Sequence, residues 1–170
     1  MKTTLFMAVS VNGFVTGLND DTEWVKDTEI LYKIIAEKGA CVMGKRTYLE
    51  CKKYNAFPYQ GALNVVLTHD KELNKQTTDE VIFTDATLGE VVTLLENKGY
   101  AEMIIVGGGN TNGQFLTSNL IDEMIIDVHP IVIDNGVHLF EGAFPRKNLE
   151  LVSSSPLDNS MVQIRYKVKK

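Results

Sequence analysis

The chain has 170 residues, 44% of them hydrophobic and 23% charged, with a net charge of −5. Those values fit an ordinary globular protein with one core, and they exclude a basic nucleic-acid surface. No apolar stretch approaches a membrane span, and Leu5 to Val9 is too short for a signal segment, so a single cytoplasmic domain is expected.

Thr3 to Val9 reads as a first, central strand, followed by the polar turn Ser10-Val11-Asn12-Gly13 and then Phe14-Val15-Thr16-Gly17. Asn19 to Thr22 is a loop closed by Glu23 and Trp24. This tryptophan is either a core anchor or the wall of a pocket. Asp27 or Thr28 can cap a helix running to Lys38, with Ile30, Leu31, Ile34 and Ile35 at helical spacing and Gly39 past its end. Ala40 to Met43 is a second buried strand, ended by Gly44. Lys45 and Arg46 then precede Thr47-x-x-Glu50, which reads as a capping box. Two cations at a helix N-terminus oppose its dipole. Either they form a solvated pair or an anion reconciles them, and the fork of Arg46 suits a phosphate.

Asn64 to Leu67 and Val81 to Thr84 are further strands, the first ending in the small polar stretch Thr68-His69-Asp70-Lys71. Thr87-x-x-Glu90 opens a helix with Val91, Val92, Leu94 and Leu95 on its inner face and Gly99 after its end. Met103 to Val106 is a strand with no polar residue for a wet face. It runs into Gly107, Gly108 and Gly109, and Thr111 and Gln114 stand three apart, as in a capping box. Strand, glycine turn and helix start together present main-chain N–H groups to an anion; the alternative is a tight turn with nothing bound. The spacing is not that of the dinucleotide fingerprint, because Asn112 stands where the third glycine would be.

Strand and helix alternate as far as Leu120, which is the α/β pattern with a mostly parallel sheet. Beyond it, Met124 to His129, Leu149 to Val152 and Met161 to Tyr166 read as strands without a helix between them, so the C-terminal part is expected to be antiparallel. Cys41 and Cys51 give no disulfide framework, and His69, His129 and His138 are scattered singly, so no metal site is expected. A Cys-His nucleophile pair stays open beside the packing role that Ala-Cys-Val-Met suggests for Cys41.

Parallel α/β sheets bind ligands at the carboxyl ends of their strands. Ser10 to Gly13, Gly44 to Thr47, Thr68-His69 and Gly107 to Thr111 all follow strands directly and should converge on one edge. Two glycine junctions, one with Arg46, suit the phosphates of a nucleotide-type, NADPH-like ligand.

In their order these elements resemble the dihydrofolate reductase superfamily, and more closely its branch similar to the reductase domain of riboflavin biosynthesis. Met7 to Gly13 looks like that branch's Ser-x-Asp-Gly motif, and Val42-Met43-Gly44-Lys45-Arg46-Thr47-Tyr48 is similar to the Met-Gly-Arg-x-Thr motif. Ile105 to Gly109 matches the glycine motif of both branches, and Leu120 to Glu123 with His129-Pro130 and Gly136 to Phe140 looks like the riboflavin-type C-terminal half.

The resemblance implies a three-layer dihydrofolate-reductase-like α/β fold and an NADPH-dependent reductase. It passes hydride to a C=N or C=O of a small heterocyclic or ribityl substrate. It places the pyrophosphate on Gly107, Gly108, Gly109, Asn110 and Thr111. The adenosine and its extra phosphate fall among Gly44, Lys45, Arg46, Thr47, Leu67, Thr68 and His69, and the nicotinamide beside Ala8, Gly13, Phe14 and Val15. Ser10, Asn12, Trp24 and Tyr32 are then the substrate-side candidates, and a homodimer through the sheet edge is implied. Two departures stand out. Asn12 replaces the motif's Asp, and Thr28 falls where dihydrofolate reductases carry a helix carboxylate, with Asp27 and Glu29 on either side. Asp27 is either that acid or only a helix cap, which leaves Asn12 and Asp27 as catalytic candidates and a folate substrate in question. The alternative reading is a non-catalytic NADPH-binding dimer.

Overall fold

The computed structural model describes residues 1–26 and 28–170, so the candidate Asp27 lies outside the described residues. The N-terminal part comprises β1 (Lys2–Ser10), β2 (Phe14–Thr16), a 3-10 turn (Leu18–Asp20), α1 (Glu29–Lys38), β3 (Ala40–Gly44) and α2 (Lys45–Lys53). β4 (Leu63–Leu67), α3 (Lys71–Asn74), β5 (Val81–Thr84), α4 (Leu88–Asn97), β6 (Glu102–Ile105) and α5 (Gly109–Thr117) follow. The chain ends with β7 (Glu123–His129), β8 (Val137–His138), β9 (Leu149–Pro156) and β10 (Val162–Val168).

Eight strands form one sheet in the order β5-β4-β3-β6-β1-β7-β10-β9, and β2 pairs separately with β8. From β5 to β7 every pairing is parallel, whereas β10 runs antiparallel to both β7 and β9. The α/β reading with antiparallel C-terminal strands is therefore the observed fold. The sheet separates two apolar layers. Leu5, Val42, Val65 and Ile105 pack with Val91 and Leu95 of α4 and Phe115 of α5. Phe6, Cys41, Met43, Ile104 and Ile125 pack on the other face with Ile34 and Ile35 of α1 and Tyr48 of α2. Alternation along each strand is what splits neighbours such as Leu5 and Phe6 between these layers.

Local signals account for several boundaries. Gly39 ends α1 in the left-handed conformation at φ 75°, its N–H donating to the Ile35 carbonyl. Thr87 and Glu90 form the expected capping box on α4. The other two expected boxes do not form. α2 begins at Lys45 with Gly44 as its cap, and α5 at Gly109 with Gly108, so Thr47 and Thr111 lie in the first turns rather than before them. The reason is that β3 passes straight into α2 with no connecting loop. Gly44 N–H still donates across the sheet to the Gly107 carbonyl at 2.9 Å. Asp70 caps the short α3, accepting from the amides of Glu72 and Leu73. β9 extends beyond Val152 because Ser153 to Ser155 pair with Arg165 to Gln163.

Asp122 ties the sheet's N- and C-terminal strands together. Its carboxylate accepts from Thr3 N–H and from Lys170 Nζ, both at 2.7 Å. Burial pushes its pKa up, but those two donors outweigh burial and hold the group below the usual carboxylate range. A depressed folded pKa gives stability that is fully present above the unfolded value of about 4 and is lost as pH falls through the folded value. Urea midpoints measured from pH 6 downwards should therefore fall below about pH 4, and Asp122→Asn should flatten that limb while lowering the neutral-pH stability by about 1 kcal/mol.

Candidate active site

β6 lies between β1 and β3 although it follows both in sequence, which makes their carboxyl ends a switch point of the sheet. The helices leaving β3 and β6 go to opposite faces, α2 toward the α1 layer and α5 toward the α4 layer. Their first turns nevertheless sit side by side. A Cβ added at Gly44 would lie 2.6 Å from Thr111 Oγ1, and one at Gly108 would lie 3.3 Å from Thr47 Oγ1. Neither helix has a side-chain cap, so both offer first-turn amides that have no intrahelical acceptor.

The glycines between them have separate jobs. Gly107 is left-handed at φ 98°. Gly109 admits the 137–141 segment, since a Cβ there would stand 2.3 Å from the His138 carbonyl oxygen. Glu141 N–H donates to the Gly109 carbonyl at 3.0 Å, closing the same contact. Gly108 faces the cavity beside Thr47, and Gly109 lines it as well.

That cavity is a cleft of about 870 Å³ running along the carboxyl ends of the strands. Of the residues singled out in the sequence, it brings together Ala8, Val15, Gly44, Lys45, Arg46, Thr47, Leu67, Thr68 and His69. Gly108, Gly109, Asn110, Thr111 and, at the other end, Tyr32 join them on its walls. Gly107 lies behind the wall, as do Gly13 and the buried Phe14, whose ring stacks on His138 at 4.2 Å.

Ser10 and Asn12, expected to donate to a substrate, are turned inward instead. Ser10 Oγ donates to Asn12 Oδ1 at 2.9 Å and accepts from Phe14 N–H, while Asn12 Nδ2 donates to the Ile133 carbonyl at 2.7 Å. Ser10 holds Asn12 within the turn and Asn12 fastens the turn to Ile133, and neither side chain is on the cleft wall. Trp24 is also off the wall. Its ring meets His129 edge-on at 5.2 Å, and Nε1 donates to the Asp21 carbonyl. Cys41 is fully buried, its thiol donating to Asn64 Oδ1, and burial pushes its pKa up to about 12, so no thiolate nucleophile forms there. Among the described residues no cluster of His, Cys, Asp and Glu could hold a metal ion.

The cations at one end of the cleft are matched by carboxylates. Arg46 grips Asp20 with two prongs, Nη2 to Oδ1 at 2.5 Å and Nε to Oδ2 at 2.9 Å. Lys45 holds Asp70 at 2.7 Å, and Lys71 pairs with Asp85. The Lys45 ammonium and the α3 amides keep the Asp70 carboxyl below its ordinary range, and Lys71 does the same for Asp85. Asp20 thus fills both prongs of the Arg46 fork at the cleft rim.

The other end has polar residues that sequence reasoning passed over. Asp127 and His129 on β7 line the cleft although only 4% and 2% exposed. His129 Nε2 accepts from Lys26 N–H at 3.1 Å, which assigns the proton to Nδ1, 3.0 Å from the Asp127 carbonyl. A lone carboxylate inside Met-Ile-Ile-Asp-Val-His was the available signal, because an unsatisfied buried charge is too costly to keep in a strand.

Sheet order, switch point and paired helix starts define an α/β protein of the dihydrofolate-reductase-like fold with a cleft at the carboxyl ends of its strands. The chain belongs to the family of the RibD C-terminal domain, which it matches over residues 1–163. It is 25% identical to the uncharacterized protein YyaP of Bacillus subtilis (strain 168), over 95% of this chain and 92% of that one. A Shewanella sp. PV-4 protein, provisionally described as a riboflavin biosynthesis protein, superposes with a TM-score of 0.86 at 25% identity, covering 100% of both chains. The Thermotoga maritima diaminohydroxyphosphoribosylaminopyrimidine deaminase/5-amino-6-(5-phosphoribosylamino)uracil reductase superposes with a TM-score of 0.81 at 14% identity, over 99% of this chain and 56% of that one. No described helix is long and apolar enough to cross a membrane.

Because Gly109 accommodates a neighbouring carbonyl, Gly109→Ala should destabilise the protein by about 1–3 kcal/mol, seen as a lower melting temperature. Gly89→Ala on α4 meets nothing within 4 Å and should leave the melting temperature unchanged or slightly raised.

Proposed function

We propose that the chain is an NADPH-dependent reductase of the riboflavin-biosynthesis type that transfers hydride to a small heterocyclic or ribityl substrate. The observation that carries this reading is the pair of uncapped helix N-termini meeting at Gly44 and Gly108 on one cleft wall. Two adjacent sets of main-chain amides, with a small residue at each approach, suit a pyrophosphate. The residues present also fit the rest of the dinucleotide. Arg46 has the reach for a ribose phosphate, and Thr68 and His69 flank the adenosine end. Ala8 leaves a floor broad enough for a flat ring.

When bound, the reduced nicotinamide supplies the hydride. The protein's own part is positional. The first turns of α2 and α5 fix the phosphates, Val15 and Ala8 set the plane of the ring, and Leu31 and Tyr32 of α1 close the acceptor's side against water. Ser10 and Asn12 act indirectly by fastening the turn behind that floor. A homodimer is part of the same proposal. β9 is an edge strand with Leu149, Leu151 and Val152 exposed, an apolar edge of the kind that a second copy covers.

The deciding assay is loss of reduced-cofactor absorbance with a panel of pterins, folates and the phosphoribosylamino-pyrimidine intermediate. Turnover of the pyrimidine establishes the reductase, whereas tight NADPH binding without turnover of any member leaves a cofactor-binding protein. Arg46→Ala should weaken NADPH about tenfold more than NADH, the equivalent of roughly 1.4 kcal/mol for the lost charged contact. Equal losses for the two cofactors would remove Arg46 from the phosphate site.

A further inference from the structure

The segment 18–26 leads from β2 toward α1 and puts Asp20, Thr22, Glu23, Val25 and Lys26 on the cleft wall. It is fastened at two places. At its far end Lys26 N–H donates to the buried His129 Nε2 at 3.1 Å, and the Trp24 ring stands edge-on to the same histidine. At its near end the fastening is the Asp20 carboxylate on the Arg46 guanidinium.

The two fastenings differ in kind. His129 is buried, whereas the Arg46 side chain is 67% exposed, so its ion pair is open to water and to competing anions. The turn that carries Asp20 also has an unusual shape. Asn19 and Asp20 are both left-handed, at φ 57° and 62°, a conformation that Asn and Asp tolerate singly and seldom in succession. Gly17 N–H closes the turn on the Asp21 carbonyl at 2.7 Å, so Asp20 is carried on a self-contained unit. Glu50, on the same helix as Arg46, is engaged by Lys53. Asp20 is thus the carboxylate that occupies the fork, an anion with two oxygens beside the first turn of α2.

We propose that Asp20 holds the place of the cofactor's ribose phosphate on Arg46, which makes it both the residue that sets NADPH against NADH and the latch of the 18–26 segment. A phosphate monoester brings nearly two charges and three oxygens to the fork, against one charge and two oxygens from Asp20. It takes both prongs, and the turn leaves α2 while His129 keeps the other end of the segment in place. A nucleotide without that phosphate leaves the latch closed. The proposal rests on the reductase reading only in placing the ribose phosphate at Arg46.

The test uses 2′-phospho-ADP-ribose and ADP-ribose, which differ only in the phosphate and carry no nicotinamide to quench Trp24, the single tryptophan of the chain. Calorimetry gives the affinities and Trp24 emission reports the segment's position. In the wild type the phosphorylated probe should shift the emission, and saturating ADP-ribose should not. Asp20→Asn, which suits a left-handed turn, should bind the phosphorylated probe about three- to tenfold more tightly with ADP-ribose affinity unchanged. Its emission without ligand should already stand at the shifted position. Should that variant not fold, Asp20→Gly also accepts the left-handed φ and carries the same expectations. Unchanged or weaker binding of the phosphorylated probe in the variant, equal tightening for both probes, or an emission shift that ADP-ribose produces equally overturns the proposal. Arg46→Ala keeps the two readings apart. Selective loss of the phosphorylated probe there, without a gain in Asp20→Asn, leaves the phosphate at Arg46 and removes Asp20 as its competitor. Equal affinities of Arg46→Ala and wild type for both probes remove the phosphate site, and the latch with it.

Discussion

One hydrogen bond across the sheet sets the geometry of the site: Gly44 N–H to the Gly107 carbonyl, 2.9 Å long, at the place where β3 and β6 both end. It joins the last residue of one strand to the second residue after the other, so the two helices that follow begin in contact. Each helix start alone would be a weak anion site. Two of them, both without side-chain caps, concentrate partial positive charge and free amides on a few ångströms of cleft wall.

The same junction explains why the residues there are small. Gly44 has Thr111 Oγ1 against it, Gly108 has Thr47, and Gly109 has the carbonyl of His138. The threonines that resemble helix caps in the sequence are the walls of this junction. The glycines thus serve packing, and Gly109 is required by the His138 carbonyl alone. At the rim, Arg46 and Lys45 are not loose cations. Their carboxylate partners hold them in place, Asp20 filling the two-pronged Arg46 fork and Asp70 the Lys45 ammonium.

The cleft has a division of chemistry along its length. Backbone dipoles and matched ion pairs occupy the α2–α5 end, while the α1 end combines apolar side chains with a buried carboxylate and a buried histidine. This asymmetry suits a ligand pair in which one partner is highly charged and the other is flat and hydrogen-bonding. It also shows why the family's opening motif tolerates Asn12 here: its side chain fastens the turn to Ile133 and does not face the cleft.

The sequence by itself determined most of the strands and helices, the two strand–glycine–helix junctions and an antiparallel C-terminal end, although Met124 to His129, expected there, pairs parallel with β1 and the change comes only at β10. Of the expected gathering of Gly44 to Thr47 with Gly107 to Thr111, all but Gly107 line the cleft. These follow from periodicity, glycine placement and chain order, all of which are local or topological. Only the tertiary structure decided where Thr47 and Thr111 stand relative to their helix starts, because the caps were taken over by glycines that strand pairing had placed. It alone turned Ser10, Asn12 and Trp24 away from the cleft and put Asp127 on its floor. Those outcomes depend on register between strands distant in sequence, Ala8 beside Asp127 beside Gln163, and a shift of one residue would send each side chain to the opposite face.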